Sequence, residues 1–110
     1  MKNVEYNAEI DSLSMYKEGK RDVFGSVTIG NFIIDVDNQG KIISLEIDNA
    51  SEILGITQKK LQEIEDAKIN IVCQNNVVMV RYQINFKKTT SIHTGSIIIP
   101  QQKLSAKILA

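Results

Sequence analysis

The chain has no tryptophan and only one proline, one cysteine and one histidine in 110 residues. Each shortage narrows the field. A single thiol, Cys73, cannot form an internal disulfide, so the stapled frameworks of small secreted domains are excluded. One cysteine and His93 are too few soft donors for a zinc site within one chain. An excess of either charge is missing too. Thirteen basic and thirteen acidic residues cancel, whereas unspecific nucleic-acid binding rests on surplus Lys and Arg meeting phosphates. Tyr6, Tyr16 and Tyr82 lack the interleaved basic residues of an RNA-binding sheet. No apolar run approaches the roughly 20 residues of a membrane span. The start lacks the charged-then-apolar pattern of a signal peptide. These absences lead to the expectation of a cytoplasmic protein that binds neither membrane nor nucleic acid.

What is present favours strands. Eighteen Ile and eight Val stand against six Leu, and β-branched side chains suit a pleated, half-buried surface. The length fits one domain with one modest core. Residues 31–54 organise the rest. Phe32, Ile34 and Val36 alternate with Ile33, Asp35 and Asp37, so one face is apolar and the other turns acidic. The Asp37-Asn38-Gln39-Gly40 turn offers residues that tolerate positive φ. The next strand then sets Ile43, Leu45 and Ile47 on one face, with Ser44, Glu46 and Asp48 on the other. Asn49 with Glu52 three residues on resembles a capping box for a short helix, and Gly55 can end it.

The same stretch nearly matches a calcium loop, with Asp35, Asp37, Gly40 and Glu46 at the first, third, sixth and twelfth positions. Such a loop needs a helix on each side. The incoming segment carries Gly25, Gly30 and several β-branched residues, so it reads as strand and the stretch reads as a hairpin.

The run F-I-I-D-V-D-N-Q-G-K-I-I-S-L-E-I-D-N-A-S, residues 32–51, together with V-E-Y-N-A-E-I-D-S-L-S-M-Y, residues 4–16, resembles the signature of the domain of unknown function 2283 family. That pattern is an apolar strand ending in D-x-D, a turn closing on glycine, and a second strand running into an A-S helix start. Ser44 departs from the family's preferred Gly, Asn7 from its Asp and Ser14 from its Tyr. The resemblance covers residues 1–56. It implies a small β-rich module with one short helix, and it brings no catalytic residue and no cofactor.

Further along, Ile56 and Leu61 flank Thr57 as a hydrophobic staple around a helix cap, and Leu61 with Ile64 gives a narrow apolar stripe for a helix of two to three turns. After it comes the clearest alternation in the chain. Val78, Val80, Tyr82, Ile84 and Phe86 form one face, with Met79, Arg81, Gln83 and Asn85 opposite. Asn75-Asn76 supplies the turn from a strand holding Ile69, Ile71 and Cys73. Residues 92–99 form the last major strand, stopped by Pro100; residues 101–110 add a short strand or lie loose.

The expected fold is α+β and strand-dominated, with mostly antiparallel sheets of seven or eight strands and one or two short central helices. Residues 1–110 form a single domain: residues 1–56 are a β-meander with a short helix, and 57–110 complete it. Cys73 alternates with core isoleucines and is expected to be buried and inert. His93 near Ser91 has no nucleophile elbow about it and reads as a strand histidine. The remaining candidate is the group Asp35, Asp37, Glu46 and Asp48. Carboxylates paired across a hairpin could run acid–base chemistry or hold a divalent ion. Ser96-Ile97-Ile98-Ile99 is apolar on both faces and calls for cover on both sides. The leading expectation is therefore a non-enzymatic interaction or assembly module, a homodimer with Ile97 or Ile99 near the contact. The alternative is a small-molecule or divalent-ion binder, hydrolytic or not, that uses the acidic hairpin. No catalytic residue, metal site or cofactor is assigned.

Overall fold

The computed structural model describes residues 3–19 and 22–102. Five strands come first: β1 (Val4–Asn7), β2 (Ser12–Tyr16), β3 (Gly25–Ile29), β4 (Phe32–Val36) and β5 (Ile42–Asp48). Two short helices follow, α1 (Ala50–Leu54) and α2 (Gln58–Leu61), and then three long strands, β6 (Ile64–Gln74), β7 (Val77–Phe86) and β8 (Ile92–Pro100). All pairings are antiparallel. The first five strands form one sheet in the order β1-β2-β5-β4-β3, and the last three form a second, β6-β7-β8. The eight strands are thus divided between sheets of five and three. No helix among the described residues is long and apolar enough to cross a membrane.

Each sheet is apolar on the side facing the other. Leu13, Met15, Ile34, Leu45 and Ile47 come from the five-stranded sheet and Val80, Ile84 and Ile99 from the three-stranded one, and all are fully buried in a single cluster. β1 and β2 lie against β6. There the Asn3 amide bonds both ways to Ala67: its Nδ2 donates to the carbonyl, and its Oδ1 accepts from the Ala67 N–H at 3.4 Å. The ten residues of β7 extend about 34 Å at the usual rise, which only the 43 Å axis of the molecule accommodates.

Two irregularities keep this cluster apolar. Between Asp35 and Val36 the register shifts: Asp35 faces Ser44 while Val36 faces Ile42, which leaves Ile43 as an extra residue. Strict alternation would have turned Ile42 outward with Ser44. The bulge instead brings it into the core beside Val36. At the start of β6, Ile64 faces Phe86 and Asp66 faces Asn85, so Glu65 is skipped and both Ile64 and Ala67 point inward.

Several sequence expectations need correction. Ile64 begins a strand and does not extend the second helix, which is therefore one turn long. The strand wins because Ile64 and Phe86 pair and bury together, more than an isolated third turn could offer. Thr57 does cap α2, its Oγ1 accepting from the Lys60 N–H at 3.2 Å. Asn49 makes no side-chain cap and sits at φ 53°. Gly55 ends α1 at φ 67°, as expected. Asn75 turns the chain between β6 and β7 at φ 50°. β3 begins at Gly25, with Val23 and Phe24 exposed before it. Cys73 is exposed, not buried. Its register does point it inward with Val78 and Ile99, but it lies on the outer strand β6, one residue from its end, where the flank is open. Ile97 and Ile99 are buried at 7% and 0% within the chain, so their side chains are not available to a second molecule. Of the last segment, residues 103–110 lie outside the described residues.

Ile84 lies on the inward face of β7 and is fully buried. Ile84→Ala is expected to cost about 2–5 kcal/mol, the range for a large-to-small change with a residual cavity. Urea denaturation measures it; a loss below about 1 kcal/mol would place Ile84 outside the core.

Candidate functional site

The four hairpin carboxylates come from β4, β5 and the turn between them, and each is held differently. Asp35 points to the outer face of the five-stranded sheet, between Ser26 on β3 and Ser44 on β5, its register partners. Its Oδ1 accepts from Ser26 Oγ at 2.5 Å and its Oδ2 from Ser44 Oγ at 2.6 Å. Asp37 lies in the turn, where its Oδ1 accepts from the Gln39 and Lys41 N–H groups at 2.9 Å each. This is an Asx-type turn, a structural use of the side chain. Glu46, on the outer face, accepts from Ser12 Oγ at 3.1 Å. Asp48 stands opposite Ser12 in the β2–β5 ladder, its backbone N–H donating to the Asn31 carbonyl at 2.8 Å.

The carboxylates therefore do not converge. Asp35 and Glu46 share a face, but each is turned to a neighbouring serine. Asp37 lines a depression with Asp22, Val23, Phe24, Asn38 and Gln39, while Glu46 lines another with Glu5, Tyr6, Asn7 and Ser14 among others. Among the described residues no group of three or more His, Cys, Asp or Glu is arranged to hold a metal ion. Cys73 and His93 are also apart. Cys73 shares a rung with Ile99 on β8, and His93 stands six residues earlier on that strand, roughly 20 Å away by strand rise. His93 instead stacks on Tyr82, with ring centroids 6.3 Å apart. The Tyr82 ring crosses Gly95, where an added Cβ would overlap the phenol. Burial raises the Tyr82 hydroxyl above its ordinary pKa.

Sequence reasoning missed Asp11, the carboxylate with most partners. It sits in the β1–β2 turn at φ 52°, a backbone conformation that Asp tolerates. Its Oδ1 accepts from the Tyr6 hydroxyl at 2.6 Å and the Ser51 N–H at 3.1 Å, and its Oδ2 from Ser51 Oγ at 2.7 Å. Its carbonyl accepts from the Ala50 N–H at 2.9 Å. Asp11 thus caps α1 from forty residues away, the task that the sequence suggests for Asn49. Burial pushes its carboxyl up, but the hydrogen bonds from Tyr6 and Ser51 outweigh that and hold it below the ordinary aspartate value. Burial, then the bond to Asp11 and its charge, push the Tyr6 phenol up to about 12. No local pattern marks this role, because the partner of Asp11 is remote in sequence.

Comparison with family models, with curated proteins and with solved structures finds no match.

Two outcomes follow from this geometry. Since strands and not helices flank the near-calcium loop, calcium affinity is expected to be no tighter than about millimolar. Saturable NMR shifts at micromolar calcium, centred on Asp35 and Glu46, would overturn that. Asp11 has a depressed folded pKa, so the stability it contributes is present above the unfolded value of about 3.9. That stability is lost as pH falls through the folded pKa. Asp11→Asn is expected to be less stable than wild type by about 1 kcal/mol at pH 7, a modest figure because the site is partly open to solvent. The gap should narrow below about pH 4; a gap independent of pH in urea denaturation would deny Asp11 its ionised role.

Proposed function

We propose that this protein is a small, non-enzymatic interaction module that assembles with a second copy through the free edge of β8. The observation that carries this reading is a contrast among the four sheet edges. β1 has four residues and β3 five, too short to template much pairing. β6 carries Glu65, Asp66 and Lys68, is bulged at its start and lies against β1 and β2. β8 has nine residues, no Lys, Arg, Asp or Glu, no bulge, and its proline only at the last position. Charges, prolines and bulges are the devices that keep edges from pairing, and β8 has almost none. Its outward side chains include Ile92 and Ile98, exposed at 58% and 59%.

Antiparallel pairing of β8 with its symmetry mate would occupy both edges at once and join two three-stranded sheets into one of six strands. Ile97 and Ile99 would then flank the seam through their backbone, with their side chains in their own cores. The carboxylates support a non-enzymatic reading, since Asp35, Asp37 and Glu46 are committed to serines and a turn. The likeness of residues 1–56 to the domain of unknown function 2283 family adds no activity. This reading assigns the protein to the cytoplasm, where a lone exposed thiol such as Cys73 stays reduced.

Sedimentation at tens of micromolar tests the proposal. The expected species has twice the 12.3 kDa chain mass. Ile98→Lys places a guard on the exposed side of β8 without touching the core and is expected to return the monomer with unchanged circular dichroism. A monomeric wild type at that concentration overturns the proposal, as does a dimer that Ile98→Lys leaves intact.

A further inference from the structure

The face of the three-stranded sheet turned away from the core is ordered into rungs by its register. Lys68, Gln83 and Thr94 form one rung, and Asn70, Arg81 and Ser96 the next. These six side chains, with Tyr82 and Gly95, line a depression of about 330 Å³. Every one of the six carries an N–H or O–H donor, two are cations, and no carboxylate lines the depression. Lys68 and Arg81 are diagonal neighbours on this face, within reach of one another's long side chains.

Neither cation has a carboxylate within ion-pair distance among the described residues. The Arg81 Nε donates only to the Met79 sulfur at 3.3 Å, a weak acceptor, which leaves the outer fork of the guanidinium without a protein partner. The closest acid on this face is Asp66, one rung beyond Lys68, and its Oδ1 already accepts from Asn85 Nδ2 at 2.5 Å. Both cations therefore line the depression with no carboxylate beside them.

We propose that this depression binds a tetrahedral oxyanion of the phosphate type, either free phosphate or the phosphate group of a small phosphorylated molecule. The Arg81 fork supplies two parallel donors and Lys68 a point charge from the neighbouring strand. Thr94, Ser96 and Asn70 supply neutral donors around them. The site uses the outward face of the sheet and not the backbone edge of β8, so it stands or falls separately from assembly.

NMR titration with inorganic phosphate, with glycerol phosphate and with sodium chloride at matched ionic strength tests the site. The expected result is saturable shifts for both phosphates, focused on residues 68, 70, 81, 83, 94 and 96, with chloride giving none. A lower midpoint for glycerol phosphate identifies the phosphoester as the ligand class, and equal midpoints identify free phosphate. Arg81→Gln is expected to raise the midpoint at least tenfold while the rest of the spectrum is preserved. Lys68→Gln serves the same purpose if that variant does not fold. Equal shifts with chloride, shifts spread over the whole surface, or a folded variant that binds as wild type does would each overturn the proposal.

Discussion

Apolar contact between two sheets of unequal shape is the constraint on which the rest of this structure depends. The five-stranded sheet is broad and short; the three-stranded sheet is narrow and long. Burial of apolar surface is non-directional, so the contact does not itself choose a register. It penalises any register that turns an isoleucine to water or a charge to the core. Both bulges answer to that penalty. Skipping Ile43 brings Ile42 inward, and skipping Glu65 lets Ile64 and Ala67 share the core side of β6.

Polar groups are then fitted around the sandwich. On the outer face of the broad sheet, serines from β2, β3 and β5 reach the carboxylates of Glu46 and Asp35. A carboxylate that accepts two short hydroxyl bonds is well satisfied, and it has little reason to gather an ion with distant neighbours. The acidic stretch of sequence thus becomes a cross-strand ladder. Asp11 follows the same logic at the end of the sheet. It ties the first turn to Ser51 and Ala50 and fixes where the chain leaves the broad sheet for the narrow one.

The two proposals concern surfaces that this fitting leaves without protein partners. β8 is an edge without guards, and the middle of the outer face of the narrow sheet carries cations without acids. Both lie on the narrow sheet. The broad sheet holds Asp35 and Glu46 in hydrogen bonds to serines; the narrow one presents donors and an open edge.

Much of the fold was legible in the sequence. Alternation of period two set the inward faces of β4 and β7, because a strand places successive side chains on opposite sides whatever surrounds it. Asn75, Gly40 and Gly55 marked turns and a helix end through their tolerance of positive φ, a property of the residue alone. Thr57 marked its cap for a similarly local reason. The sequence could not show how eight strands divide between two sheets, where a bulge inverts a face, or that Asp11 replaces Asn49 as the cap. Nor could it show that Ile97 and Ile99 are covered by their own chain, that Cys73 is open at the end of β6, or that Lys68 and Arg81 line one depression from two strands. Each of these depends on which residues become neighbours across long stretches of chain. Local backbone chemistry determines what a segment can form, and only the tertiary contacts decide what that segment will face.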